Sequence, residues 1–317
     1  MNTSTTDVQH PGLAPRGSAT EPAMVRLCMR FGYDGTAYNG WALQPGLPTV
    51  QAVLEDGLAL MLRRSIRTVV AGRTDAGVHA RNQIAHFDLT ETEVASLARG
   101  ADLEPGQALL RRLRGLLSRE GGAIQVHDVW LAPQGFDARF SALWRRYSYR
   151  IADGPDRFDP LTRAFTMFHK AELDLELMNA EAASLLGRHD FLSFCKPREH
   201  ATTIRTLTEF EFVRDAQGII VAHLKADAFC HNMVRAVIGG CLKVGDGREA
   251  PGWVAIRLAE AVRDSRIILA EPRALVLEEI AYPVDAHEIA RRAELTRTRR
   301  KPHDVSTVQP QSGTHGR

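Results

Sequence analysis

Asp75 lies in the stretch Gly72-Arg73-Thr74-Asp75-Ala76-Gly77-Val78-His79-Ala80, where a carboxylate, a guanidinium and an imidazole crowd into one glycine-flanked loop. The loop is a poor phosphate cradle, because the Gly-x-x-x-x-Gly-Lys pattern is absent. It is also a poor metal site, since one His and one Asp fall short of three or four ligands. No ligand cluster or nucleotide fingerprint occurs elsewhere, so the expectation is no metal and no organic cofactor. What the loop offers is a carboxylate held on a turn beside a cation, able to act as nucleophile or charge stabiliser. An isolated Asp beside glycine more often caps local amides, and the loop alone leaves that alternative standing.

The elements that must position this loop can be read from periodicity. Val25, Leu27, Met29 and Phe31 alternate with Arg26, Cys28 and Arg30, which predicts a half-buried strand ending at the turn Tyr33-Asp34-Gly35. After Pro48 and the candidate N-cap Thr49, the residues Val50, Val53, Leu54, Leu58, Met61 and Leu62 recur at helical spacing. Short strands over 68–71 and 84–87 flank the Asp75 loop. Tyr147, Tyr149 and Ile151 share one face of a further strand, near which a domain boundary falls. A helix over 175–186 ends at Gly187, a hairpin pairs 206–214 with 219–227, and a nearly all-apolar helix over 231–244 reads as buried. Arg235 lies inside that helix, and an unpaired buried Arg is costly, which makes it the candidate cation for Asp75.

Composition narrows the classes. The 317 residues are 44% hydrophobic and 25% charged, ordinary globular values that suit two modest domains or one large one. Cys28, Cys195, Cys230 and Cys241 form no Cys-x-x-Cys pair and read as free thiols in a reducing compartment. Residues 1–23 lack the basic and apolar regions of a signal peptide, and no apolar run is long enough for a bilayer, so a cytoplasmic protein without membrane contact is expected. Net charge is only +2 and pI about 8.4, below the usual cue for a nucleic-acid binder. The arginines nevertheless cluster, at Arg111, Arg112, Arg114 and Arg119, at Arg145, Arg146 and Arg150, and from Arg291 to Lys301. Each cluster reads equally as a solvated face or an RNA contact.

The order of elements predicts an α+β fold of two similar α/β subdomains, with antiparallel-rich sheets, packed helices and a cleft between the halves. Its expected parts are a disordered extension over 1–23, a subdomain over 24–143 carrying the Asp75 loop, a second over 144–285, and a basic disordered tail over 286–317.

The Asp75 loop resembles the catalytic loop of the tRNA pseudouridine synthase A family. The resemblance continues through Tyr33-Asp34-Gly35, Tyr38, Gly40-Trp41, Gln44 and Val50-Gln51, then Ala138-Arg139-Phe140-Ser141-Ala142 and Arg145-Arg146-Tyr147-Ser148-Tyr149. Asp190-Phe191, Ser193-Phe194, the segment from Ala228 to Arg235, and Tyr282-Pro283 complete it, in order from about Val25 to Pro283. Ala42, Ala274 and the stretch 113–122 depart from the family's usual pattern and leave the motifs whole.

The resemblance implies the pseudouridine synthase fold and a cofactor-free isomerisation of uridine, with a flipped-out base, at tRNA positions 38, 39 and 40 by a homodimer. It makes Asp75 the essential residue, acting at C1′, at C6 or by assisting elimination, and pairs it with Arg235. It makes Tyr147 a ring that stacks on uracil or assists proton removal from C5, and Arg73, Arg139, Arg145 and Arg146 substrate-binding residues. The plainer readings are a structural ion pair for Arg235, a core ring for Tyr147 and a loop brace for Arg73. His79 reads as structural support, and Trp41, Phe140 and Phe229 as core. Two rival functions remain at this level. A nucleosidase would normally need a second carboxylate. A non-catalytic RNA-binding module would leave the Asp75 loop unexplained.

Overall fold

The alternation near the start of the chain produces strand β1 (Met24–Tyr33), whose Leu27, Met29 and Phe31 are fully buried. In the computed structural model, residues 22–98, 103–197 and 201–298 are described; most of the 1–23 extension and the tail beyond Thr298 lie outside them. Thr49 caps helix α1 (Val50–Leu62) by accepting the Ala52 N–H, and Val50, Leu54 and Leu58 bury the stripe that the spacing predicts.

Next come β2 (Val69–Val70) and β3 (His79–Thr90), with the Asp75 loop between them, then helices α2 (Glu91–Leu97) and α3 (Pro105–Leu117) and strand β4 (Ile124–Leu131). The second half runs β5 (Trp144–Asp153), β6 (Met167–His169), α4 (Leu175–Ser184), β7 (Gly187–Asp190), β8 (Ile204–Arg214) and β9 (Ile220–Ala226). It ends with α5 (Met233–Gly245), α6 (Trp253–Glu260), β10 (Leu275–Ala281) and α7 (Ala286–Thr298).

All the strands join one sheet in the order β4-β1-β3-β10-β5-β9-β8-β7, with β2 added beside β3 and β6 beside β5. Pairing is antiparallel except at β10–β3 and β5–β6, so the fold is a mixed α/β arrangement on a mostly antiparallel sheet. A boundary at 143/144 puts β1 to β4 on one side and β5 to β9 on the other. Strand β10 pairs with both sides, registering Leu277 with Ala80 of β3 and with Tyr147 of β5. The centre of the sheet is therefore built from chain segments far apart in sequence.

Two expectations are corrected. Residues 286–298 are not a structureless tail: α7 buries Ile289 and Ala293, and its Arg292 donates to the carbonyls of Ala142 and Leu143 at 2.9 and 3.1 Å. Burial of Ile289 contributes about 1.5–3 kcal/mol, and the helix's own hydrogen bonds and the Arg292 contacts add to it. Nor are all four cysteines free thiols. Cys195 and Cys230 form a disulfide with their Cα atoms 5.9 Å apart, while Cys28 and Cys241 are free and buried. The cysteines therefore give no argument for a reducing compartment.

No helix among the described residues is long and apolar enough to cross a membrane.

Candidate active site

The Asp75 loop is fixed from several sides before its carboxylate does anything. The Thr74 carbonyl accepts the Trp41 N–H at 3.1 Å, the Thr74 hydroxyl meets the Tyr33 hydroxyl at 2.7 Å, and Gly77 N–H reaches Tyr38 O at 3.3 Å. Gln83, wholly buried on β3, donates to the Gly72 carbonyl at 2.8 Å. Gly40 is required by this packing: its φ is +84°, and a Cβ there would lie 2.7 Å from the Thr74 oxygen. Behind the loop, His79 accepts the Gly35 N–H at Nδ1 and contacts the Arg273 carbonyl at Nε2, a supporting part.

The cation comes from α5. Arg235 lies in the first turn of that helix, nearer its start than the expected span had placed it, and its Nη1 stands 3.6 Å from Asp75 Oδ2. Its Nε donates to the Ala270 carbonyl at 2.7 Å, and its own carbonyl accepts the Ala270 N–H at 3.0 Å. The helix can approach that segment because residue 239 is glycine; a Cβ there would fall 1.8 Å from the Ile268 oxygen. A second side chain reaches the same carboxylate. His231 Nε2 lies 3.4 Å from Asp75 Oδ1.

Asp75 opens into a cleft of about 840 Å³. Tyr147 forms part of its wall, buried on β5 between Leu277 and Leu224 of the flanking strands, with its ring edge-on to Phe229 at 5.1 Å. Burial first, then the nearby Tyr33 and Asp75, push the Tyr147 phenol above the ordinary tyrosine range, so it stays protonated at neutral pH. Arg73, Arg139, Arg188, Lys196, Arg205 and Arg292 also line the cleft, against the carboxylates of Asp75 and Asp227. A nearly neutral chain thus concentrates positive charge where a polyanion could enter.

The sequence-predicted residues fare differently. Asp75, Arg235, Tyr147, Arg73 and Arg139 meet at the cleft. Arg145 also borders it, but is buried and gives its donors to the carbonyls of Asp227, Ala71 and Arg139 at 2.7, 3.1 and 2.7 Å. It braces the wall instead of presenting a free guanidinium. Arg146 points the other way, as strand alternation requires, and pairs with Glu279 at 2.6 Å. Its expected place among the substrate-binding residues does not fit that position. Phe229 is half-buried at the cleft and not a core ring, whereas Trp41 is buried against Phe31. The arginines of α3 do not reach the cleft: Arg114 donates to Val126 and His127 carbonyls.

Asp227 is the other carboxylate at the cleft among the described residues. Its Oδ1 accepts the amides of Thr206 and Ala228 at 3.0 and 2.7 Å, a turn-capping role.

Sequence reasoning missed His231, Arg188, Lys196 and Arg205, whereas Arg292 belongs to the Arg291–Lys301 cluster already weighed as an RNA contact. His231 stands four residues before Arg235, a spacing that on the expected helix over 231–244 would put the two on one face and could have drawn attention to it. The other three cations are scattered through the chain and carry no local signal.

A family model described as tRNA pseudouridine synthase matches residues 182–283. A protein of Streptomyces griseus named tRNA pseudouridine synthase A is 49% identical over 285 residues, covering 89% of this chain and 96% of the relative. Proteins of the same name from Frankia casuarinae and Corynebacterium glutamicum are 47% and 42% identical, covering 88% and 89% of this chain and 97% of each relative.

Proposed function

The chain belongs to the tRNA pseudouridine synthase A family, and from that premise we propose that it isomerises uridine to pseudouridine at positions 38, 39 and 40 of the tRNA anticodon arm, with Asp75 as nucleophile. The observation that carries the reading is the Asp75 carboxylate itself, one third exposed to a basic cleft and flanked by Arg235 and His231.

The reaction breaks the N1–C1′ bond of uridine, turns the uracil and forms a C5–C1′ bond, moving the C5 proton away while N1 gains one. Nothing is oxidised or reduced. Asp75 supplies the negative charge that the step needs, and Arg235 keeps that charge compensated inside the fold. The Tyr147 ring forms an apolar wall for an uracil extruded from its stack. Arg73 and Arg139, both exposed at the cleft, suit phosphate contact.

A homodimer, which the family resemblance implies, belongs to the same proposal, as does a cytoplasmic location, where tRNA is found. Sedimentation of the purified protein tests the first.

The central experiment incubates purified protein with an unmodified tRNA transcript and maps pseudouridine. Product at 38, 39 and 40, absent with Asp75→Asn, is expected. Free uracil would point to a nucleosidase, and product outside the anticodon arm would overturn the site assignment.

A further inference from the structure

The Asp75 carboxylate is held at both oxygens by one stretch of chain. Arg235 Nη1 faces Oδ2 at 3.6 Å and His231 Nε2 faces Oδ1 at 3.4 Å. One cation at that distance compensates charge but leaves the carboxylate free to turn about its Cβ–Cγ bond. A basic side chain beside each oxygen favours one orientation of the plane over its rotation by a quarter turn.

His231 is itself held from outside α5. Its backbone precedes Asn232, a residue at φ +70° that starts the helix, so the imidazole is not placed by helical geometry. Instead its carbonyl accepts the Lys196 N–H at 3.0 Å, and the neighbouring Cys230 is bonded to Cys195. These ties anchor His231 to the segment 195–196. The side chains of His231 and Asp75 keep 25% and 33% of their surface, so the clamp leaves the carboxylate open to the cleft.

We infer that His231 is a positioning residue for the isomerisation, setting the rotation of the Asp75 carboxylate so that a lone pair faces the reacting base. The inference rests on the reading of Asp75 as nucleophile. Reaction requires atoms placed within a few tenths of an ångström, and a carboxylate that turns freely spends little time aimed. Arg235 compensates the charge and His231 fixes the angle.

The test compares His231→Ala and His231→Gln in the full chain, measuring single-turnover pseudouridine formation and tRNA affinity separately. Gln carries an N–H donor near the position of Nε2. His231→Ala is expected to slow the chemical step about 10- to 100-fold, the scale on which a misplaced reacting group costs rate, with tRNA Kd within about 2-fold of wild type. His231→Gln should recover most of that loss. A structural role would lower both rate and affinity and would not be rescued by a donor. His231→Ala at full rate, Gln as slow as Ala, or a loss confined to affinity overturns the inference. Asp75→Asn run alongside separates the two claims: activity retained there removes the nucleophile reading, whatever His231 does.

Discussion

Arg235 and Asp75 stand 3.6 Å apart, Nη1 to Oδ2, while the Nε of the same guanidinium is committed to the Ala270 carbonyl. One planar group thus ties the Asp75 loop to the segment behind α5. A lysine has a single ammonium and cannot make both contacts in this geometry. Arg235→Lys is therefore expected to lower the single-turnover rate about 10-fold, and Arg235→Met about 100-fold, each with tRNA Kd nearly unchanged. Rapid-quench measurement checks both. Full rate in Arg235→Met would make the pair purely structural.

Tyr147 admits two roles that its burial separates. Its phenol holds its proton more tightly than ordinary tyrosine, chiefly through burial, so phenolate is scarce at neutral pH. The ring, edge-on to Phe229, does not depend on that proton. Tyr147→Phe is expected to keep at least about a tenth of the rate, and Tyr147→Ala to lose far more, since it also opens a cavity beside the cleft. Single-turnover assays at neutral pH decide. A loss in Tyr147→Phe as deep as in Tyr147→Ala would assign proton removal from C5 to the hydroxyl.

Helix α1 was legible because it buries one stripe at its own period, and α5 because it buries nearly every side. Strand β1 was legible as a strand but not as a half-buried one, since Cys28 on the supposedly open face is fully buried along with Leu27 and Met29. The Asp75 loop and Arg235 were legible from residue type and the family resemblance. Arg145 was not, because a cation that spends its donors on backbone carbonyls looks the same in sequence as one on the surface. Arg146 could have been placed: it alternates with Arg145 and Tyr147 along β5 and must face away from them. The parallel pairing of β10 with β3 leaves no local trace, nor does a disulfide between cysteines 35 residues apart. Helix α7 was obscured by polar composition, its buried side amounting to little more than Ile289 and Ala293.

That helix divides the C-terminal region into parts with different expected effects. Within 286–298, Arg297 pairs with Asp137 at 2.6 Å and the Ser141 hydroxyl donates to the Ile289 carbonyl at 3.1 Å. Truncation after Asp285 should cost stability of about 2–4 kcal/mol and disturb the Arg139 loop. Truncation after Thr298 removes Arg299, Arg300 and Lys301 and should lower the slope of log tRNA affinity against log salt. Urea unfolding and salt-dependent binding on both truncations provide the check. An unchanged slope in the shorter deletion would make those cations bystanders.

His86 links the fold's stability to pH at a point that supports the same loop. Its Nδ1 accepts the Ala138 N–H at 3.0 Å, just before Arg139, and its ring meets Phe136 edge-on. Burial, with the positive charge of Arg26 as the next cause, brings its pKa down to about 4. Above the unfolded value of about 6.5 both states hold a neutral imidazole, and the group costs nothing. As pH falls from there toward 4, the unfolded chain takes up a proton that the folded chain refuses, so stability declines through that window and no further below it. The full loss is at most about 3 kcal/mol. His86→Asn offers Ala138 an acceptor that does not titrate. Urea unfolding at pH 7.5 and pH 4.5 should therefore show a smaller drop for His86→Asn than for the wild type, even if the variant begins less stable. Equal drops would place the acid sensitivity in other groups and leave His86 as a neutral packing residue.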